Sequence, residues 1–191
     1  HVEALVEEGV DAIWYPCMSY NNDEGIGDNH YNCPVVAYYP ELLAANVPAL
    51  KQTKFLDPYV GLWRQKDFIK RISRLMEEQL SIPRKETRAA ARLAYEAYEA
   101  YMGDVRETGK QYVEYAREHD MPIIVMCGRP YHIDPEINHG INKLLTAQGF
   151  VVVTEDCVSG LEDHERRGIL NQWTYHARMY NAARYVCTQP D

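Results

Sequence analysis

The most reactive side chains of this sequence are two cysteines at the ends of one polar loop. Cys17 follows a short apolar run, and Cys33 comes directly before Pro34. Thiolates are the ligands of iron–sulfur clusters, and a Cys-Pro pair often supplies a last ligand. Both cysteines lie beside predicted strand ends, so they can close on one metal centre. Because their spacing is not that of a Cys-x-x-Cys pair, two unrelated, partly buried thiols remain the alternative.

The other three cysteines have different predicted surroundings. Cys127 lies inside an apolar run and Cys187 beside another, and in such a run a cysteine usually packs as a small apolar residue. Cys157 follows an acidic pair, and the sequence leaves its role open. The polar loop also contains three possible metal ligands: Asp23, Asp28 and His30. Asp in a loop more often forms a turn, so these three are weaker candidates.

A second reactive group lies in the segment Gly128–Pro135, which follows a predicted buried strand. Ligands bind where the carboxyl ends of parallel strands meet. Arg129 can hold a carboxylate or phosphate in a forked geometry, and Tyr131 and His132 can donate hydrogen bonds or protons. The alternative is that Arg129 pairs with Asp134 and Tyr131 packs on the sheet. Neither GxGxxG nor GxxxxGK[ST] is present, so neither a dinucleotide fingerprint nor a P-loop positions this segment.

The elements that must position this segment follow from the apolar pattern after residue 120. Continuous apolar runs at 122–127 and 150–153 predict strands buried on both faces, adjacent and parallel. A helix is predicted between them over 137–148 and another from about 163 to 182, and residues 185–187 begin a third strand. This β-α-β-α-β order is typical of an open parallel sheet with right-handed crossovers.

Shorter elements are predicted before residue 120. The pattern predicts a helix over 2–8, a strand over 10–15, a long loop over 16–31, a second apolar run over 34–39 that Pro40 ends, and a helix over 67–80. Residues 84–120 form a long helical zone in which Gly103 or Gly109 can introduce a break. Tyr101, Tyr112 and Tyr115 recur there at helical spacing, which predicts a packed, half-buried stripe; stacking on a cofactor is the alternative.

Composition excludes several classes of protein. The 191 residues are 46% apolar, too many for a disordered chain. The longest segment without a charged residue, 29–40, is shorter than the roughly 20 residues of a membrane-spanning helix, and no signal peptide is visible. A net charge of −8 argues against a nucleic-acid partner. Five cysteines suit a reducing compartment, so we expect a cytoplasmic protein. Because the chain begins inside a predicted helix, we expect a fragment of a longer protein.

Four segments carry a family resemblance: HVEALVEEGVDAIWYPCMSY (1–20), NCPVVAYYPELLAAN (32–46), GRPYHIDPEINHG (128–140) and GFVVVTED (149–156). Together they resemble the acyl-CoA dehydratase activase-related proteins. Those long proteins of anaerobes join activator-type ATPase modules to a region similar to the 2-hydroxyacyl-CoA dehydratase subunits. The resemblance covers most of the chain apart from the helical zone at 60–120.

The resemblance implies two tandem Rossmann-like lobes with an oxygen-sensitive [4Fe-4S] cluster between them. In the dehydratases that cluster has three protein thiolates and an open iron site. Cys17 and Cys33 match two of the family's cysteines. A third is expected before His1, and more sheet is expected after Asp191. We therefore expect the cluster in the intact protein and none in this fragment.

These arguments predict an α/β protein with two Rossmann-like lobes, each with a parallel sheet. Residues 1–83 form the incomplete N-terminal lobe, 84–120 a helical connector and 121–191 the incomplete C-terminal lobe. By the resemblance, the intact protein is an iron–sulfur component related to the 2-hydroxyacyl-CoA dehydratases and reductases. It receives low-potential electrons from an ATP-dependent activator.

The site of that predicted enzyme has two parts. Cys17 and Cys33 ligate the cluster, and Arg129, Tyr131 and His132 line the cavity for an acyl-CoA or another small anionic substrate. Two alternatives remain. One is a non-catalytic domain that docks the activator and holds no cluster even when complete. The other is a hydrolase or transferase that uses Arg129 and His132 on a small anion, with oxygen present and without iron.

Overall fold

The computed structural model describes residues 1–161, 168 and 170–189. Its helices are α1 (Val2–Glu7), α2 (Pro34–Asn46), α3 (Gln65–Leu80), α4 (Arg84–Glu118), α5 (Pro135–Asn138), α6 (Ile141–Ala147), α7 (Glu155–Val158) and α8 (Thr174–Thr188). Its strands are β1 (Ala12–Trp14), β2 (Cys17–Tyr20), β3 (Lys54–Leu56), β4 (Tyr59–Gly61), β5 (Ile123–Met126) and β6 (Val151–Thr154). Short 3-10 helices span Pro48–Gln52 and Pro130–Ile133. No helix within these residues combines the length and apolar character needed to cross a membrane.

The chain divides into two compact units. Unit 1 comprises residues 1–23 and 29–87, and unit 2 comprises residues 24–28 and 88–191. In unit 1, β1 pairs with β3 and β2 pairs with β4, both in parallel, and α2 packs against β2. Each of the four strands contributes one buried apolar residue to the core: Ile13, Cys17, Leu56 and Val60.

Unit 2 is built on the parallel pair β5–β6, with Ile123 opposite Val151. Residues of α4, α7 and α8 cover it and form one core: Val113, Ala116, Val158, Ala182 and Tyr185 with the strand residues Val151 and Val153. The predicted adjacency and parallel direction of the two apolar runs is confirmed. The α/β class is also confirmed, whereas the tandem Rossmann lobes and the limits at residues 83 and 120 stay predictions.

Two strand and loop predictions are wrong. The third strand at 185–187 is the last part of α8, because Ala182 and Tyr185 lie at helical spacing on the face that packs against the core while Val186 is exposed. The beginning of the helix predicted at 163–182 lies outside the described residues, and the helix observed there begins at Thr174. The loop predicted over 16–31 contains the strand β2.

The apolar run at 34–39 is helical and not a strand. Pro34 occupies the first turn of α2, where a missing backbone N–H costs nothing. Pro40 does not end the element, since α2 continues through this buried proline to Asn46. The helix predicted over 137–148 is interrupted at His139 and Gly140, which both have positive φ.

The structure also differs from the predictions about burial in β5 and about α4. The residues of β5 are half-buried and not buried on both faces. Gly103 and Gly109 do not interrupt α4, whose buried residues are Met102, Gly109, Val113 and Ala116. The predicted half-buried tyrosine stripe is wrong, because its three tyrosines are exposed.

Candidate functional site

A cleft of about 180 Å³ opens in unit 2 where β5 and β6 end. Because the two strands are parallel, the segments that follow them lie at one edge. The segment after β5 contributes Arg129 and His132, the segment after β6 contributes Glu155, and α8 contributes Tyr175 and Arg178. Asp156, Tyr98 and Tyr101 also line the cleft, which therefore combines two guanidinium groups with two carboxyls, an imidazole and three phenols. Tyr131, the third predicted site residue, is exposed and is not part of its lining.

The segment after β5 is held in a tight turn that fixes His132. A side chain at Gly128 would place Cβ only 2.4 Å from Nδ1 of His132, so glycine is required for this approach. The backbone N–H of Arg129 donates to Nδ1 of His132 at 3.1 Å. In this arrangement Nδ1 is an acceptor, and the neutral ring carries its proton on Nε2.

Glu155 is a buried carboxyl at the edge of the cleft. It begins α7 directly after β6 and is only 5% exposed. Burial raises the pKa of Glu155 to about 7, and the neighbouring Asp156 carboxylate adds to the shift, while Arg178 and the Gly128 backbone N–H act against it. A carboxyl that titrates near neutrality can both accept and release a proton at ordinary pH, as general acid–base catalysis requires.

The two arginines of the cleft have different electrostatic surroundings. Nε of Arg178 donates to both carboxylate oxygens of Glu24, at 2.8 and 3.1 Å, and Nη2 donates to the same carboxylate. Both side chains of this pair are buried. Burial alone would lower the pKa of Arg178, but the Glu24 carboxylate raises it overall. The positive charge of Arg178 is therefore permanent and is compensated by the negative charge of Glu24.

Arg129, by contrast, forms no ion pair with any described residue, so its guanidinium is available to a ligand. The alternative of an Arg129–Asp134 pair does not hold, since Asp134 accepts a hydrogen bond at 2.9 Å from the Glu136 backbone N–H and caps α5. Cζ of Arg129 lies 5.4 Å from the centre of the Tyr175 ring, and Cζ of Arg178 lies 5.3 Å from it. This ring connects the free guanidinium to the compensated one through two cation–π contacts.

The two candidate cluster cysteines belong to one hydrogen-bonded segment of unit 1. Cys17 begins β2 and is fully buried, and Cys33 is the half-buried residue before α2. Between them, Asn32 turns the chain back onto β2, because its backbone N–H donates to Ser19 at 3.0 Å and its side-chain amide donates to Met18 at 3.1 Å.

The possible metal ligands around these cysteines do not form a complete cluster site by themselves. Burial raises the pKa of the Cys17 thiol; the Glu41 backbone N–H lowers it, and the Asp57 and Glu41 carboxylates raise it. Within the described residues, no group of three or more His, Cys, Asp or Glu side chains lies close enough together to hold a metal ion. Two thiols do not complete an iron–sulfur site, so a cluster here requires ligands from outside these residues.

The remaining cysteines are placed differently from the prediction. Cys127 and Cys187 are exposed, so neither packs as a small apolar residue. Cys157 fills the contact between α7 and α4, where a Cβ on Gly109 would lie 2.3 Å from its own Cβ. Its Sγ lies 3.3 Å from Oγ1 of Thr154. Cys157 therefore has a packing role.

The sequence analysis did not predict several residues of the cleft, among them Glu155, Tyr175 and Arg178. Glu155 had a visible signal, because it is the second polar residue after an apolar strand, at the position where ligands bind in a parallel sheet. Arg178 and Tyr175 had none, since they come from a helix whose limits the apolar pattern did not give.

Comparison with known proteins gives one result. A family model described as the CoA enzyme activase uncharacterised domain (DUF2229) matches residues 1–158. The matched segment includes both candidate cysteines, Arg129, His132 and Glu155, and ends with α7. No curated protein and no solved structure gives a significant match.

Proposed function

The chain belongs to the CoA enzyme activase uncharacterised domain family, and from this premise we propose that it is part of an acyl-CoA dehydratase or reductase-like enzyme. The observation that carries the proposal is the cleft of unit 2, which combines the unpaired guanidinium of Arg129 with the protonatable carboxyl of Glu155. Removal of water from a 2-hydroxyacyl thioester requires a proton acceptor and a proton donor, and Glu155 can serve in either role near pH 7. Arg129 binds the anionic part of the substrate.

The proposal includes a [4Fe-4S] cluster in the intact enzyme. Cys17 and Cys33 supply two of its thiolates, and other ligands come from outside the described residues. The hydrogen bonds of Asn32 support this, because they hold both cysteines on one strand–loop–helix segment. When bound, the cluster supplies one-electron chemistry at low potential, and an ATP-dependent activator is the partner that delivers the electron.

Substitution of Arg129 by glutamine tests the anion site. Charge-assisted hydrogen bonds contribute about 1.5–3 kcal/mol, so we expect the dissociation constant for S-acetyl-phosphopantetheine, a thioester with a phosphate and no base, to rise roughly 10- to 100-fold, measured by isothermal titration calorimetry. The matched control is Arg92→Gln, an exposed arginine of α4 outside the cleft lining, which should bind the probe as the unsubstituted protein does. Equal affinity in the Arg129 and Arg92 variants would contradict the assignment.

The cluster is tested on the intact protein purified without oxygen, by iron and sulfide analysis and by EPR. Replacing Cys17 or Cys33 with serine is expected to abolish the absorbance and the EPR signal of the cluster, because each removes a thiolate ligand. Cys187→Ser should leave both signals intact, since Cys187 lies on the exposed side of α8. Full iron content in the Cys33→Ser protein would end this part of the proposal.

A hydrolase or transferase acting on a small anion is the second candidate function. It is favoured by the position of His132 in the same cleft as Arg129, with Nδ1 occupied and Nε2 left to exchange a proton. This function predicts turnover in aerobically purified, iron-free protein, whereas the dehydratase function predicts none.

A further inference from the structure

Unit 1 contains a second cleft, of about 310 Å³, which the proposed function does not use. It lies where the parallel strands β2 and β4 end and α3 begins. Its lining combines aromatic rings with arginines: Tyr20, Tyr59, Trp63, Phe68, Arg64 and Arg71. All of these residues belong to unit 1, so an inference about this cleft does not depend on the site in unit 2.

We propose that this cleft binds a nucleotide, with the base stacked on the aromatic rings and the phosphates held by Arg64 and Arg71. Aromatic side chains stack on any base, because every base has a π-face. Arginine is the side chain best suited to phosphate, since its fork contacts two oxygens at once. A purely apolar ligand would leave the arginines without a charged partner. A phosphate without a base would make no stacking contact with the rings.

The rings of the cleft are held in fixed positions. The Trp63 ring centre lies 5.9 Å from that of Tyr20 and 5.1 Å from that of His30. The Tyr20 hydroxyl donates to the hydroxyl of Tyr31 at 2.8 Å. Packed against these neighbours, Trp63 still keeps 40% of its surface exposed at the cleft. A large ring that is both fixed and partly open loses little entropy when a base stacks on it.

Gly61 allows these rings to approach the end of β4. A Cβ at this position would lie 3.2 Å from Cβ of Tyr20 and 3.3 Å from Cδ1 of Trp63, both tighter than ordinary contact. The backbone N–H of Leu62 donates to the Tyr20 carbonyl at 3.0 Å and holds the turn that presents Trp63. The sequence Gly-Leu-Trp therefore places the indole at the strand end, where ligands of parallel sheets bind.

Among the described residues, the two arginines of the cleft have weak ionic partners or none, so both can bind phosphate. Cζ of Arg64 lies 4.0 Å over one face of the Trp63 ring, so this guanidinium is adjacent to a base that stacks on the exposed part of the indole. Its approach to Asp67, 3.9 Å between exposed side chains, is a weak interaction. Arg71 forms no ion pair with any described residue. An adjoining groove along α3 shares Arg71 and adds Lys70, which lies there beside Asp67 and the paired side chains of Arg74 and Glu78.

The proposal is tested by isothermal titration calorimetry of the whole chain with ADP, adenosine and pyrophosphate. We expect ADP to bind more tightly than either part alone. Trp63→Ala should weaken ADP binding about 5- to 150-fold, because stacking of one base on an aromatic side chain is worth about 1–3 kcal/mol. Arg71→Gln should weaken ADP about tenfold and leave adenosine unchanged, since only ADP carries phosphates. Coenzyme A contains the same base and phosphates as ADP. If it binds more tightly than ADP, the natural ligand is this cofactor. If ADP binds more tightly, the natural ligand is a free nucleotide.

Trp14→Ala is the matched control, because Trp14 is 41% exposed, lies on β1 in the same unit and is not part of the cleft. It should bind ADP as the unsubstituted chain does. Circular dichroism verifies that each variant is folded. The proposal is overturned if millimolar ADP gives no binding, if Trp63→Ala binds ADP as tightly as Trp14→Ala, or if pyrophosphate binds as tightly as ADP.

Discussion

Replacing Arg178 with methionine is expected to lower the free energy of unfolding by about 3–5 kcal/mol, the typical cost of removing one partner of a buried ion pair. The Glu24 carboxylate would remain buried in unit 2 without the guanidinium that now contacts both of its oxygens. Methionine keeps most of the side-chain volume, so the loss reports the charge and not a cavity. Urea denaturation followed by circular dichroism at pH 7 measures the change.

Two controls separate this effect from a general sensitivity to substitution. The double variant Glu24→Leu/Arg178→Met removes both charges and should recover more than half of the lost stability, because no unpaired charge stays buried. Arg74→Met breaks the pair Arg74–Glu78, whose atoms are 2.7 Å apart but whose side chains are exposed. It should cost no more than about 0.5 kcal/mol. A loss below about 1 kcal/mol for Arg178→Met would show that the buried pair is not what stabilises unit 2.

The paired strands of unit 2 were predictable because their signal is local. Each is a continuous apolar run, and the residues between them have helical character, so the sequence itself specifies a parallel crossover. Tyr185, Val186 and Cys187 form an equally apolar run, but three residues do not distinguish a strand from a helix. Ala182 and Tyr185 pack together against the core, and these contacts stabilise the segment as a helix. Such contacts depend on the whole fold.

The segment at 34–46 shows a second limit of local patterns. Its two prolines suggest interruptions, yet one occupies the first turn of α2 and the other a buried position inside it. A proline in the first turn is favourable, and an interior proline is tolerated when packing compensates for the lost hydrogen bond. Packing of α2 against β2 supplies that compensation, and the sequence alone does not show it.

The cleft of unit 2 was half predictable for a related reason. Arg129 and His132 follow a strand directly, so the position of the strand gives the position of the site. Arg178 and Glu24 are brought together from opposite ends of the chain, separated by 154 positions. A contact of such long range leaves no periodicity and no motif in the sequence, so the apolar pattern does not reveal it.

Replacing Glu155 with glutamine is expected to stabilise the protein at high pH, by about 3 kcal/mol above pH 8. The folded state keeps the carboxyl protonated up to about pH 7, whereas the unfolded state releases the proton near the ordinary value of 4.5. Between these values the folded state binds more protons than the unfolded one, so stability falls as pH rises. The difference of about 2.5 units corresponds to about 3 kcal/mol at 1.36 kcal/mol per unit. Glutamine has no charge to bury and removes this loss.

The measurement is the pH dependence of the difference in unfolding free energy between the variant and the unsubstituted chain. The difference should be near zero below pH 4.5, rise through pH 7 and then level off, because both proteins are neutral at this position in acid. Glu136→Gln, an exposed carboxyl outside the cleft, should give a flat difference across the range. A flat profile for Glu155→Gln as well would mean that this carboxyl is not held in its protonated form. The proposed function requires Glu155 to accept and release this proton near pH 7. The stabilised variant should therefore bind its ligand and lose turnover, which distinguishes a proton-transfer role for Glu155 from a merely structural one.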